Sequence, residues 1–488
     1  MSIENLIVRE RDSLETALAV LDRNGHGLAF AVDEGGRLTG RLASADIAAC
    51  LARGGTLALS VRAAMTPEAG GLPANADAAT IAARVDGSGR VVPLVDAERR
   101  PVDLATPAAR RRIPIGEPSL AGNELKYVTE CVTTGWISSQ GSFVRRFEEM
   151  LAKRLGVEHA LAVSNGTVAI HLALVALGIG PGDEVIVPDL TFAATINSVI
   201  HAGATPVLVD VDPATWNLDP AATAAAITPR TRAIMPVHLY GQPADMDAIG
   251  ALAAKHGLVV VEDAAEAIGA LHHGRPCGTL GDAGTFSFFS NKVITTGEGG
   301  AVVFRSKEVW ERAKRLRDHG MRPTKRYWHD EVGFNYRLTN LQAAIGCAQL
   351  ERFDEFIARK LALAARYRDR LAGVAGIELP AEIPGLRNSH WMMSAIADPA
   401  ATGMERDELM ARLGEAGIET RPLFYPLHEM PPYRAHAGNR EFPATTRLSA
   451  HGLSLPSGVT LTDGEIDYVC ATIERLVGAR RLARAARA

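Results

Sequence analysis

The sequence predicts an α/β protein: a mostly parallel sheet with helices on both faces, a smaller C-terminal α+β domain, and a separate α+β module in front. Three observations carry this. From Ile113 onward, short apolar runs alternate with amphipathic segments of helical length. Beyond residue 355, long helical stretches are joined by short strands. The first 105 residues instead repeat an α-β-β-α pattern. A chain of 488 residues is also too long for one core, since domains run to roughly 150 residues, so several units are expected.

Composition narrows the function classes. Hydrophobic residues at 47% and charged residues at 22% exclude a wholly disordered chain. The 52 basic and 56 acidic residues leave a net charge of −4, so nucleic acid is not an expected partner. No apolar run approaches the roughly 18 residues of a membrane span, and the start MSIENLIVRERD is too charged for a secretory signal. A cytoplasmic protein with no membrane partner is expected. Five scattered cysteines (Cys50, Cys131, Cys277, Cys347, Cys470) lack CxxC pairing. They read as reduced thiols, and no metal site is expected.

The front module is read element by element. Residues 13–21 have helical spacing, 27–32 (GLAFAV) read as a strand, 33–36 as a hairpin turn, 37–42 as the returning strand and 44–51 as a second helix. A shortened echo follows, with a helix over 76–85, a strand over 91–95, a turn over 96–100 and a strand over 102–104. With the Met65-Thr66-Pro67 break between the copies, residues 1–105 resemble a CBS-domain pair whose second copy is degenerate. In that family an Asp after the second strand often holds the ribose of an adenine nucleotide. The resemblance places Asp46 of GRLASADI there, with Ala43 where Thr is common. The module is read either as an adenine-nucleotide sensor or as a structural, oligomerising unit, and the second is favoured. Residues 106–112 (TPAARRR) read as a solvated linker.

Residues 113–355 are read as the large domain and 356–488 as the small one. In the large domain 168–177, 192–202 and 246–256 have helical patterns, and 184–187, 206–211, 233–237 and 258–261 read as strands. This alternation calls for right-handed crossovers, and ligands on such sheets bind beyond the carboxyl ends of the strands. In the small domain 354–372 and 406–416 are helical.

Three motifs fall at those strand ends. Ser164-Asn165-Gly166-Thr167 joins the strand ALAVS to the next helix. Its free amides and the positive helix end suit a phosphate, although these residue types equally suit a plain helix cap. Glu262-Asp263 closes the strand LVVVED, with Glu266 three residues on. A carboxylate there can hold a protonated ring nitrogen or a metal, or cap the following helix. Lys292 follows TFSFFSN and precedes Gly297-Glu298-Gly299-Gly300. Desolvation beside that apolar strand would disfavour its ammonium form and leave an amine able to attack carbonyls. A phosphate cradle, a strand-end Asp and a desolvated Lys, in that order, favour chemistry over the structural reading of each alone.

This order resembles the DegT/DnrJ/EryC1/StrS sugar aminotransferases, fold type I enzymes that use pyridoxal 5′-phosphate (PLP). The likeness covers nearly all of residues 113–488, in TGWISSQG, DLTFAATINSV, MPVHLYGQPADMD, VEDAAEAIGA, GFNYRLTNLQAAIG, IETRPLFYPLHEMPPY and LSLPSG. The resemblance implies that Lys292 forms a Schiff base with PLP and then moves the α-proton of an amino donor, L-glutamate. It implies that Asp263 pairs with the pyridinium nitrogen, that Phe192 stacks on the ring and that Glu266 lies beside it, where the family often has Gln or His. Gly166, Thr167 and Ser287 would hold the phosphate. Asn335 would reach the phosphate of a neighbouring subunit, which implies a homodimer with composite active sites. Relatives with His in place of the Lys are dehydratases, and Lys292 argues against that branch.

The loop 318–331 (DHGMRPTKRYWHDE) resembles the GDP-perosamine synthase subgroup, where a Tyr-Trp-His segment precedes GFNYR and contributes to sugar binding. By that resemblance Lys325, with Arg322 and Arg326, could meet the diphosphate of a nucleotide-sugar substrate, and His329 the hexose. His238 at the end of AIMPVH and Arg421 are further candidates for the same cleft. The implied acceptor is GDP-4-keto-6-deoxymannose. Two alternatives stay open: the same chemistry on a UDP- or dTDP-linked keto-sugar, also at C3, and a non-catalytic PLP- or nucleotide-responsive regulator.

Overall fold

The computed structural model describes residues 3–24, 27–67, 71–76, 80–81, 84, 91–105 and 113–485. The chain divides into two units, residues 1–113 with 412–418, and residues 114–411 with 419–488.

In the first unit Ile7–Arg9, Leu28–Val32, Leu38–Ala43 and Thr66–Pro67 form a four-stranded sheet. Helix Leu14–Asn24 buries Leu14, Ala17 and Leu21 in one cluster with Ala29, Ala31 and Leu42, as helical spacing of apolar residues requires. Leu72–Pro73, Val92–Val95 and Pro101–Ala105 form a second sheet of three strands. The two sheets share one kind of turn. The Asp33 amide donates to Arg37 O at 2.9 Å and the Asp96 amide to Arg100 O at 3.0 Å. Each aspartate also accepts the amide of its arginine, at 2.9 and 2.7 Å. Gly36 (φ 77°) takes the left-handed position in the first turn, and Arg99 (φ 64°) takes it in the second. The linker 106–112 and most of the helix expected over 76–85 lie outside the described residues.

The second unit is built on a seven-stranded sheet: β1 (Ala160–Val163), β2 (Glu184–Pro188), β3 (Thr205–Val209), β4 (Thr231–Ile234), β5 (Val259–Asp263), β6 (Ala283–Ser287) and β7 (Gly300–Phe304). Its spatial order is β3-β2-β4-β5-β6-β7-β1. Only β7 runs against its neighbours, pairing antiparallel with both β6 and β1. The reversal follows from the connection. Antiparallel neighbours need no crossover helix, so residues 288–299, with Lys292, pass directly from β6 to β7 as a loop at the sheet's end. Ala301 and Val303 pack into one core with Phe286 and Phe147, whereas Val302 and Phe304 pack into another with Leu172 and Val187. Covering on both faces is why these strands read as continuous apolar runs.

Three helices position the site: α1 (Gly166–Ala176), α2 (Ala193–His201) and α3 (Met246–His256). Towards the C-terminus, Ile377–Glu378, Met393–Ala397, Gly452–Leu455 and Arg421–Pro422 form an antiparallel sheet in that order. Helices Phe353–Leu371, Arg406–Glu415 and Asp463–Ala485 belong to the same stretch of chain. All five cysteines are buried and unpaired. Among the described residues no helix is long and apolar enough to cross a membrane.

Candidate active site

A cavity of about 650 Å³ opens at the carboxyl end of the sheet. Its wall brings together Gly166, Thr167, Phe192, Asp263, Glu266, Ser287 and Lys292, and Arg421 joins them.

The anion cradle is local. Asn165 caps α1, its Oδ1 accepting the Val168 amide at 3.0 Å. The amides of Gly166 and Thr167 have no carbonyl one turn back to bond, and they sit on the cavity wall. Asn165 thus serves as the cap, and the two residues after it line the cavity. Gly166 packs directly on Ser287, where a Cβ would lie 2.9 Å from Ser287 Cβ. Any larger residue would fill the cradle.

Asp263 ends β5 and is 4% exposed. Its Oδ2 accepts from Thr195 Oγ1 at 2.8 Å and its Oδ1 from the Ala265 amide at 3.1 Å. Burial raises its pKa, and the nearby Lys292 and His238 pull it back. Glu266 is fixed by the Tyr240 amide at 2.8 Å, and its Oε1 stands 3.7 Å from Lys292 Nζ. Burial raises the Glu266 pKa and lowers that of Lys292, while the attraction between them opposes both shifts. Burial therefore brings the two groups' proton affinities closer together, as transfer of a proton between neighbours requires.

Aromatic residues complete the wall. Lys292 Nζ lies 3.6 Å from the centroid of Trp391, whose indole N–H donates to Asn291 O at 2.8 Å. Tyr240 stacks between Trp391 and Phe424, with centroids at 6.1 and 5.2 Å. Phe192, at the N-terminal end of α2, is 59% exposed and leaves a ring face open to the cavity. Sequence reasoning assigned no role to Thr195, Tyr240, Trp391 or Phe424. Three of these lie inside quoted stretches (TFAAT, HLYGQ, RPLFYP), but nothing local to Trp391 marks it.

Other expected residues stand elsewhere. His238 is 0% exposed, so it is no substrate ligand. Its Nε2 pairs with Glu262 Oε2 at 2.9 Å, and the Ala244 amide donates to its Nδ1 at 3.0 Å. It positions Glu262, which also accepts the Gly278 and Gly281 amides at 2.7 and 2.6 Å. Lys325 lies over the Trp328 ring at 3.8 Å, and His329 Nδ1 pairs with His319 O at 2.8 Å. Both are exposed and off the cavity wall. Arg322 is bound by Asp330 at 2.6 Å rather than free for a diphosphate. Asn335 is exposed and does not line its own chain's cavity. Arg421 reaches the wall with Glu419 at 3.5 Å. In the first unit Asp46 accepts the Ala43 amide at 2.8 Å, a helix-capping role.

An amide cradle, a buried strand-end carboxylate, an aromatic face and a desolvated amine fit PLP in every part. Residues 118–474 match the DegT/DnrJ/EryC1/StrS aminotransferase family. The chain is 50% identical over 368 residues to the GDP-perosamine synthase of Caulobacter vibrioides, covering 75% of this chain and 98% of that protein. It is 45% identical over 361 residues to the GDP-perosamine synthase of Escherichia coli O157:H7, covering 74% and 97%. Among solved structures, S. venezuelae DesV in complex with a ketimine intermediate is similar at 38% identity and a TM-score of 0.69, covering 73% of this chain and 94% of that one.

Proposed function

This chain belongs to the DegT/DnrJ/EryC1/StrS aminotransferase family, and from that premise we propose that it moves an amino group from L-glutamate to GDP-4-keto-6-deoxymannose, with PLP as cofactor. The observation that carries the chemistry is Lys292, half-buried on the cavity wall beside Glu266 and in one cavity with Asp263 and the Gly166–Ser287 cradle. The acceptor rests on the likeness to two GDP-perosamine synthases along almost their whole length.

Gly166, Thr167 and Ser287 would hold the phosphate, Asp263 the ring nitrogen, Phe192 the ring face and Glu266 the ring edge. Bound there, PLP supplies an electron sink for the bond broken at the amino donor's α-carbon. Lys292 Nζ, whose pKa burial lowers, would take up the α-proton and return it. Thr195 and the Ala265 amide keep the Asp263 carboxylate aimed and oppose the rise that burial imposes on its pKa. Trp391 and Tyr240 shield the amine from water and fix where it can swing. Arg421 stands on the wall as a cation for an acidic substrate.

The wider reading places the PLP-binding domain at 113–355 and the small domain at 356–488. It takes Asn335, exposed and off its own cavity, as a phosphate contact across a homodimer with composite sites. It keeps residues 1–105 as a CBS-like pair, supported by the shared Asp–Arg turns, and favours a structural, oligomerising role for it over the sensing of an adenine nucleotide. A cytoplasmic setting goes with it.

The test is a panel of GDP-, UDP- and dTDP-linked keto-sugars assayed with L-glutamate. The GDP-linked 4-keto sugar should be aminated fastest, and a yellow cofactor band should bleach when L-glutamate alone is added. A protein that stays colourless with added PLP sinks the enzyme reading, whereas preference for another base sinks only the acceptor.

A further inference from the structure

We propose that Asp247, His272 and His273 bind one divalent transition-metal ion of the zinc class, outside the catalytic cavity. Asp247 lies in the first turn of α3, and the two histidines lie in the hairpin of Leu271–His272 and Arg275–Pro276. One ligand atom from each residue lies within 4.8 Å of the others. His273 Nε2 and Asp247 Oδ2 are already 3.4 Å apart. A tetrahedral site with bonds of about 2.0–2.1 Å has ligand–ligand edges of roughly 3.3 Å, so this pair needs almost no adjustment. Asp247 and His273 are exposed and can close the remaining gap.

His272 supplies the third ligand. It is 4% exposed, and its ring makes no hydrogen bond among the described residues. Its ring meets that of His273 edge to face with centroids 4.6 Å apart, so both imidazoles belong to one cluster. His273 adds a local anomaly. It has φ 47° before Gly274 at φ 79°, the two-residue hairpin turn in which Asn before Gly is preferred. Its Nδ1 side packs on Gly385, where a Cβ would come within 2.5 Å, so Nε2 is the nitrogen turned to Asp247.

Two imidazoles and one carboxylate suit zinc rather than magnesium or calcium, which prefer oxygen alone, and leave a fourth position for water. The ion would tie the start of α3 to the hairpin that follows the Asp263–Glu266 segment. Its role is structural, since none of the three residues lines the cavity. It also reverses the sequence-based expectation of no metal, which rested on cysteine spacing.

The test uses the full-length, PLP-loaded protein, free of any histidine tag and stripped with chelator, titrated calorimetrically with zinc chloride. One ion should bind per chain with a Kd of about 1 μM or tighter and raise the Tm, while magnesium chloride should not. H273N, which suits the turn, and D247N should each weaken zinc binding at least about tenfold. Both should leave the rate of cofactor bleaching by L-glutamate within about twofold. Absence of zinc binding to the parent protein, or unchanged binding in both variants, overturns the site.

Discussion

Two lysines, one half-buried at the cavity and one fully buried, touch the same tryptophan and do different things. Lys292 Nζ sits 3.6 Å from the Trp391 ring centroid, while Lys360 Nζ donates to Trp391 O at 2.8 Å and also to Ser457 O. Burial lowers the pKa of both, that of Lys360 to about 7. Lys292 has Glu266 and Asp263 to draw its pKa back up and an open cavity in front of it, whereas desolvation alone acts on Lys360. A depressed pKa is therefore not what marks a nucleophile. Access to a reacting partner is, and Lys360 spends its hydrogens on fixed carbonyls instead.

The sharpest way to break that contrast is to remove each amine. K292A should lower turnover at least about 10³-fold and abolish the yellow cofactor band, because one group serves as both nucleophile and proton carrier. K360M should keep the band. If K292A retained both, the contrast would collapse.

D263N comes next. An amide in place of the carboxylate loses the charge that would hold a protonated ring nitrogen. Turnover should fall about 10²-fold or more, read as kcat under saturating PLP.

K360M should cost roughly 2 kcal/mol of stability in denaturant titration, since two buried carbonyls lose their donor. It should also change the pH dependence. Between about pH 7 and the usual 10.5, the unfolded chain holds a proton on Lys360 that the folded chain lacks. Stability of the parent protein should thus rise with pH through that window, and the gain should be absent below about 7. Titrations at pH 7 and 9.5 should show a smaller rise in K360M, and an equal rise would place the amine outside the buried setting described.

The smallest effect is expected for G166A. A methyl group 2.9 Å from Ser287 Cβ crowds the cradle without touching Lys292, so the Kd for PLP should rise about tenfold with little change in kcat.

The comparison also separates what is local from what is not. The helix expected over 246–256 is found as Met246–His256, because both its ends are written in neighbouring residues. Asp245 accepts the Ala248 amide at the start, and Gly257 closes the other end at φ 65°. The cradle, the strand-end Asp263 and the loop Lys292 are legible for the same reason, each being a strand end and the turn behind it. His238 carries the same strand-end signal, yet the fold buries it against Glu262 and Ala244. The family resemblance offers Lys325 and His329 as substrate ligands, but the fold leaves both exposed and off the cavity wall of their own chain.

By itself, then, the sequence determined the strand–helix alternation and the order of cradle, carboxylate and lysine. Periodicity, caps and turns act over a few residues, and their energies are set by near neighbours along the chain. Only the tertiary structure decided that Thr195 would aim Asp263, that Trp391 would face Lys292 and that Asp247 would meet His272 and His273. Those pairs are far apart in the chain, and close packing of separate elements, rather than any local preference, brings them within bonding distance.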